Sequence, residues 1–538
     1  MRPTYTSFST QQTPQSEPIP GQKQVPNEAG GYVYQLDDWK AFERFLILGT
    51  EGGTYYVGER KLTRDNAIRT MGCIAADGRR AVDLIVDISD KGRAPKNDPA
   101  IFALALAASA DDVKTRQYAL DHLHKVCRIP THLFHFNTFV EQFRGRGRSL
   151  NSAVRDWYQL APLDKLAFEM VKYQQRDGWS HRDLLRLCHP HPLRGRRDAG
   201  SSESRNALYR WATHGDIEMA DNLPPEVVLD FEAAKTADKR GLIKLIRERG
   251  LVREMVPTES LTDPDVWEAL LMKMPPTAMI RNLGNMSKVG LLKPLSEASK
   301  TVVAKLADGA ELKKKRVHPI EILIALKTYS QGHGMRGSGQ WVPVPAVIDA
   351  LNDAFYAAFG YIEPSKKRIL YGIDTSGSMW WDSSTIRNTP ICAAEGAAVM
   401  AMACARVEED YYIMAFSTGM KQIGITNETR LVDALEIMKR LGEGGTDCSL
   451  PMLWAMKEKI NVDAFILLTD NETWAGYMHP SQALEKYRKW SGIQDAKEVV
   501  VGMTATNFTV ADPKDPNTLD VVGFDTSTPQ AISEFVKG

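Results

Sequence analysis

Cysteine is scarce in this 538-residue chain. Its six residues, Cys73, Cys127, Cys188, Cys392, Cys404 and Cys448, include no C-x-x-C pair. That spacing supports neither a disulfide framework nor a zinc knuckle, and it fits reduced thiols in a cytoplasmic or nuclear compartment. Long apolar runs are missing as well. No stretch approaches the roughly 20 residues of a bilayer span, and the first residues lack the apolar core of a secretory signal, so no membrane partner is expected. Net charge is absent: 67 Lys and Arg balance 67 Asp and Glu. There is no H-E-x-x-H, Gly442-Glu-Gly-Gly445 is not followed by the lysine of a P-loop, and no nucleophile, base and orienter stand together. Catalysis is therefore not expected. Gly332-His-Gly-Met-Arg-Gly337 spells a dinucleotide fingerprint, but it follows a helical run and leads into Val342-Pro-Val-Pro345. Without a strand before it and a helix after it, it reads as a connecting loop.

The charges that are present are unevenly placed. Residues 361–538 sum to −7 and the preceding 360 to +7, which pairs an acidic module with a basic one. Residues 1–30 are rich in Pro, Gln, Ser and Thr and bury too little to offset ordering, so they read as a mobile tail. Over 31–363 apolar residues recur at helical spacing, as in Trp39, Phe42, Phe45 and Leu46, or Ile101, Leu104, Ala105 and Ala108. Prolines such as Pro99, Pro130, Pro225 and Pro276 punctuate these runs where a first helical turn tolerates them. Many helices with short connectors predict stacked pairs of the HEAT type. From 364 to 538 the pattern becomes an alternation of buried strands and helices, which predicts an α/β doubly wound, mostly parallel sheet.

In that second region an apolar run, Ile369 to Ile373, delivers Asp374, Ser376 and Ser378 at its end, and Ala464 to Thr469 delivers Asp470. Ligands of open α/β sheets collect beyond the carboxyl ends of strands. Oxygen-only groups there suit a hard cation, magnesium first, with manganese or calcium as alternatives. A lone Asp-x-Ser-x-Ser is often only a turn bonded to its own backbone. With Gly444-Gly-Thr-Asp447 and Asp470 added, the set resembles the metal-ion-dependent adhesion site of von Willebrand factor A domains.

The helical region has its own concentration of charge. Residues 121–200 carry 14 Lys and Arg against 8 Asp and Glu, and several histidines, including His181, His189 and His191. Lys172 and Arg176 are four apart, as are Arg182 and Arg186, so each pair shares a face if its segment is helical. Arg144, Arg146 and Arg148 alternate with glycine, Arg194, Arg196 and Arg197 form a second basic turn, and Tyr173 and Trp179 offer stacking surfaces. This is the composition of a phosphate- and base-contacting surface. The plain alternative is a solvated helix face.

A helical region with a basic middle, followed by an A domain bearing Asp374-Thr-Ser-Gly-Ser378, Thr446 and Asp470, resembles the 60 kDa Ro autoantigen family, as does the wording of Lys172 to Leu187. The resemblance implies a ring of HEAT repeats closed by the A domain. It also implies binding of Y RNAs on the ring's outer surface, capture of the 3′ ends of misfolded noncoding RNAs in its hole, and a ribonucleoprotein role in RNA quality control, with the chain read as a monomer. Ser376, Ser378 and Thr446 would then ligate the cation through hydroxyls while Asp374 and Asp470 orient them or their waters, leaving the ion to accept a carboxylate from a protein partner. For RNA, the resemblance points to Lys172, Arg176 and His189, with Arg182, Arg186 and Arg144 behind them. Asn471-Glu472 departs from the family's glycine at that place. The alternative is an adhesion-like protein-binding scaffold in which RNA is incidental.

Overall fold

The computed structural model describes residues 12–49, 62, 67–94, 96–190, 199–217, 223–315, 317–334, 339–358, 362–380, 391–426, 428–441, 444–523 and 525–538. The chain forms two compact units, one of residues 67–360 and one in which residues up to 66 join 361–538.

The amino-terminal segment departs from expectation. Residues 1–11 lie outside the described residues, but residues 12–30, read above as mobile, are placed against the carboxy-terminal unit. Strands β1 (Gln24–Pro26) and β2 (Tyr32–Gln35) pair antiparallel. The helix Asp38–Leu48 follows, capped by the Asp37 side chain accepting from the Trp39 and Lys40 amides. Few of these residues are large and apolar, which is what the composition argument weighed. They are held instead by strand pairing and buried amides, and by a few anchors such as Val33, Leu36, Phe42 and Phe45. The boundary expected at residue 31 is therefore displaced to about 66.

Residues 67–360 are helical, as expected. Asp98–Ala107 begins with Pro99 in its first turn and is buried from Pro99 onward, so it is apolar all round. Pro130 opens Pro130–Phe143 and Pro276 opens Pro276–Lys288. Successive helices pack as pairs: Gly78–Lys91 on Asp98–Ala107, Lys239–Arg249 on Pro264–Lys273, and Pro319–Ser330 on Pro345–Ala357. His318 Nε2 donates to the Arg93 carbonyl at 3.2 Å, joining early and late helices of this unit. One feature is unexpected. The helix Leu163–Lys172 stops at Lys172, and strands β3 (Gln175–Arg176) and β4 (Trp179–Ser180) form a hairpin. Its two turn residues, Asp177 (φ 53°) and Gly178 (φ 80°), both take the left-handed conformation that a tight hairpin requires.

The carboxy-terminal unit holds β5 (Ile369–Asp374), β6 (Tyr411–Phe416), β7 (Met420–Gln422), β8 (Ala464–Thr469), β9 (Lys497–Gly502), β10 (Phe508–Thr509) and β11 (Thr518–Val522). The main sheet runs β11-β9-β8-β5-β6-β7, parallel throughout except for β7 against β6. Central β5 and β8 are buried at every residue, the condition of strands covered on both faces. The helix Ala393–Ala405 is also buried at every position; its small side chains let it pack on β5 and β8. β10 pairs with β2 rather than with the main sheet. The helix Asp38–Leu48 docks on the same unit, where Arg44 Nη2 meets Asp520 Oδ1 at 2.6 Å with both side chains buried.

Candidate metal centre and nucleic-acid interface

β5 and β8 are adjacent and parallel, so Asp374 and Asp470 emerge at neighbouring strand ends. Asp374 is fully buried. Its Oδ1 accepts the Ser376 amide at 2.9 Å and its Oδ2 accepts Thr469 Oγ1 at 2.6 Å. Ser376 Oγ and Ser378 Oγ are 3.0 Å apart, and Ser378 Oγ donates to Asp470 Oδ2 at 2.7 Å. The Gly377 amide donates to the Gly444 carbonyl at 3.1 Å, which brings the loop bearing Thr446 alongside. The Thr446 carbonyl in turn accepts the Trp474 and Ala475 amides, each at 2.9 Å. Four of the five expected residues thus form one chain of hydrogen bonds, and the fifth stands on a loop bonded to it.

Burial, and next the charge of Asp470, raise the Asp374 carboxyl above the ordinary carboxylate range, against hydrogen bonds from Thr469 and Ser376. Two such carboxyls at one buried place suit a divalent cation, which offsets both effects. Among the described residues no group of three or more His, Cys, Asp or Glu forms a metal cluster. The donors are hydroxyls backed by two carboxylates, a hard set that fits magnesium.

The basic window divides. On the helix His181–Cys188, Arg182 and Arg186 are exposed on one face, and the Ser180–Asp183 capping box starts that helix. His189 ends it in the left-handed conformation (φ 43°), also exposed. Lys172 and Arg176 do not share a helix face, because the hairpin intervenes. Arg176 is exposed on β3, and half-buried Lys172 lays its Nζ 4.9 Å from the Tyr173 ring centroid. Arg144 is exposed at the end of Pro130–Phe143, a helix that packs on the hairpin, while β4 packs on His181–Cys188. Arg146 is structural: it donates to Asn137 and Asn151 and stacks over Trp179 at 5.2 Å. His181 is a core histidine, bonded to Tyr158 and the Tyr173 carbonyl, with its pKa pushed down to about 4 by burial. His191, Arg194, Arg196 and Arg197 lie outside the described residues.

Comparison with known proteins now decides the relationship. Residues 25–226 and 230–328 match the TROVE domain, and residues 368–536 match the Ro60 von Willebrand A domain. The chain is 38% identical over 529 residues to RNA-binding protein RO60 of Deinococcus radiodurans, covering 98% of this chain and 97% of that one. It is 36% identical over 588 residues to RNA-binding protein RO60 of Caenorhabditis elegans, covering 96% and 90%. The chain belongs to the Ro60 family. The crystal structure of the Deinococcus radiodurans Ro (RSR) protein matches this Ro60-family fold with a TM-score of 0.70 at 38% identity, covering 93% of this chain and all of that one.

What sequence reasoning missed around this Ro60 A-domain site is its bracing. Gln15 is fully buried and donates through Nε2 to Asp447 Oδ1 and to the Met478 carbonyl, both at 2.7 Å, while its Oε1 accepts Thr473 Oγ1. Asn27 Nδ2 donates to the Thr473 carbonyl at 2.8 Å, and the Ala29 amide donates to Glu472 Oε2 at 3.1 Å. The amino-terminal segment therefore clamps the two loops, 446–449 and 472–478, that follow Thr446 and Asp470. No local signal announces this, since the partners are more than 400 residues apart. Asn471 takes φ 68°, so an asparagine, which tolerates that conformation, serves where glycine was expected. Buried Glu472 beside it is pushed up to about 8 by burial and then by Asp470.

Proposed function

We propose that this protein is a non-catalytic RNA-binding scaffold of cytoplasm and nucleus that holds Y RNAs and the 3′ ends of misfolded noncoding RNAs for quality control. The observation that carries the reading is the exposed basic face of Arg176, Arg182, Arg186, His189 and Arg144 around one hairpin and one helix. Such a face neutralises phosphates and releases counterions. The names of both relatives, RNA-binding proteins, support it. In the A domain, Ser376, Ser378 and Thr446 would hold magnesium through hydroxyls, with Asp374 and Asp470 fixing their orientation. When bound, the cation supplies Lewis acidity toward a partner's carboxylate. Exposed Trp474 and Tyr477 beside that site favour a second reading, a protein ligand docked there, which is compatible with the first.

The test is RNA affinity against salt. Lys172→Ala with Arg176→Ala is expected to weaken small-RNA binding and to flatten the slope of log affinity against log salt by about one to two units, at about 0.7–0.9 per phosphate contact. Lys313→Ala with Lys314→Ala, on an exposed helix end, is the control. Wild-type affinity and slope in the first variant would return the basic face to ordinary solvated surface.

A further inference from the structure

The helical unit contains a cleft of about 400 Å³ that neither the metal centre nor the exposed basic face uses. Its volume falls in the range of roughly 300–1,000 Å³ typical of small-ligand sites. Its walls come from parts of the chain far apart in sequence: residues between Ile88 and Ala94, Lys96, Asn97 and Ala100, the turn at Arg128 and Ile129, Tyr173, Thr277, and Lys315 with His318.

The cleft gathers positive charge. Lys96, Arg128 and Lys315 line it, and Glu321, the one acid among its described lining residues, is engaged by Arg281 at 2.5 Å. Exposed Lys315 pairs loosely with Glu311 at 3.7 Å, a contact of the kind worth little. The guanidinium is held by a polar network rather than left to wander. Arg128 Nη1 donates to Ser89 Oγ at 2.9 Å and to the Lys125 carbonyl at 2.8 Å. Ser89 Oγ donates to Asn97 Oδ1 at 2.6 Å, and Asn97 Nδ2 to the Val126 carbonyl at 2.9 Å. His132, half-buried, adds no charge at neutral pH, since desolvation pushes it down to about 3. The cationic character therefore rests on lysine and arginine. Ile88 and Ile129 supply apolar wall, and Tyr173 an aromatic ring.

Converging cations with a preorganised guanidinium suit a phosphate, and a neighbouring aromatic with apolar wall suits a base. We propose that this cleft binds one nucleoside monophosphate unit, its phosphate held by Arg128, Lys96 and Lys315 and its base against Tyr173. The proposal goes beyond the RNA reading, because a free mononucleotide would fill the cleft with the exposed basic face unoccupied. A free nucleotide and a phosphorylated RNA end present the same chemistry.

The experiment is calorimetric titration of the full-length, RNA-free protein with AMP, adenosine and inorganic phosphate. AMP is expected to bind saturably, one to one, with adenosine and phosphate each at least about tenfold weaker. Lys96→Ala with Lys315→Ala, two exposed side chains whose loss leaves packing intact, should weaken AMP at least about tenfold. Tyr173→Leu should weaken AMP and leave phosphate unchanged. Competition by an oligonucleotide bearing a 5′-phosphate, and not by its unphosphorylated twin, assigns the ligand to an RNA end. Competition by neither assigns it to free nucleotide, and both results support the site. Absence of saturable AMP binding up to about 1 mM, or wild-type AMP affinity in the lysine double variant, overturns it. Because Lys172→Ala with Arg176→Ala is assayed separately with RNA, failure of the cleft and failure of the RNA reading are told apart.

Discussion

Glu498 lies in β9 with no exposed surface, and neither carboxylate oxygen has a hydrogen-bond partner among the described residues. Burial is the main cause that pushes its carboxyl up to about 8. Between the ordinary glutamate value of 4.5 and about 8 the folded state holds this proton and the unfolded state does not. The stability contributed is therefore complete at low pH and lost as pH rises through that window. Glu498→Gln should remove that slope. In urea unfolding the variant is expected to match wild type near pH 5 and to exceed it near pH 9 by on the order of 3 kcal/mol; parallel curves at all pH values would refute the assignment. No neighbouring residue announces that this acid lacks a partner, because the nearby cation, Arg488, is paired with Asp515 at 2.6 Å.

Two short elements show where local reading stops. The β3–β4 hairpin was not read from the sequence, although Asp177-Gly178 is a strong two-residue turn signal. The i,i+4 spacing of Lys172 and Arg176 allowed a shared helix face instead, and the turn chemistry prevailed because Gly178 takes the left-handed conformation without steric strain. The amino-terminal strap was not legible, since its stabilising partners come from across the sequence. Gln15→Ala should remove a buried donor from Asp447 and from the Met478 carbonyl, and leave Thr473 Oγ1 only its longer bond of 3.4 Å to the Thr446 carbonyl. A loss of about 2–3 kcal/mol is expected for the A-domain unit, read as a lower urea midpoint for that unit. Faster proteolysis within 472–478 should accompany it. An unchanged midpoint would show that the clamp adds nothing.

For the molecule as a whole, the proposed function assigns separate ligands to the two units. A cation that binds the native A domain stabilises it by mass action. Magnesium should therefore raise the thermal midpoint of that unit in wild type and not in Asp374→Ala, whose calorimetric magnesium binding should vanish. RNA affinity in the same variant should change far less than cation affinity, because the proposed RNA face lies in the helical unit. A loss of RNA binding equal to the loss of magnesium binding would contradict that division.

The alternation of buried strands and helices after residue 364, the helical periodicity before it, and the strand-end placement of Asp374 and Asp470 were all set by local spacing, because strand ends and turn chemistry need no distant information. The relationship to Ro60 proteins was carried by the same local wording, from Lys172 to Leu187 and from Asp374 to Ser378. What only tertiary structure decided was which residues are braced and which are free. Gln15 and Arg44, in a segment that reads as tail and then as helical repeat, become buried partners of Asp447 and Asp520. Arg146 and His181, two of the basic candidates by composition, are drawn into packing, while Arg182 and Arg186 remain exposed. Burial and long-range pairing determine these roles, and both are properties of the folded chain that no window of neighbouring residues contains.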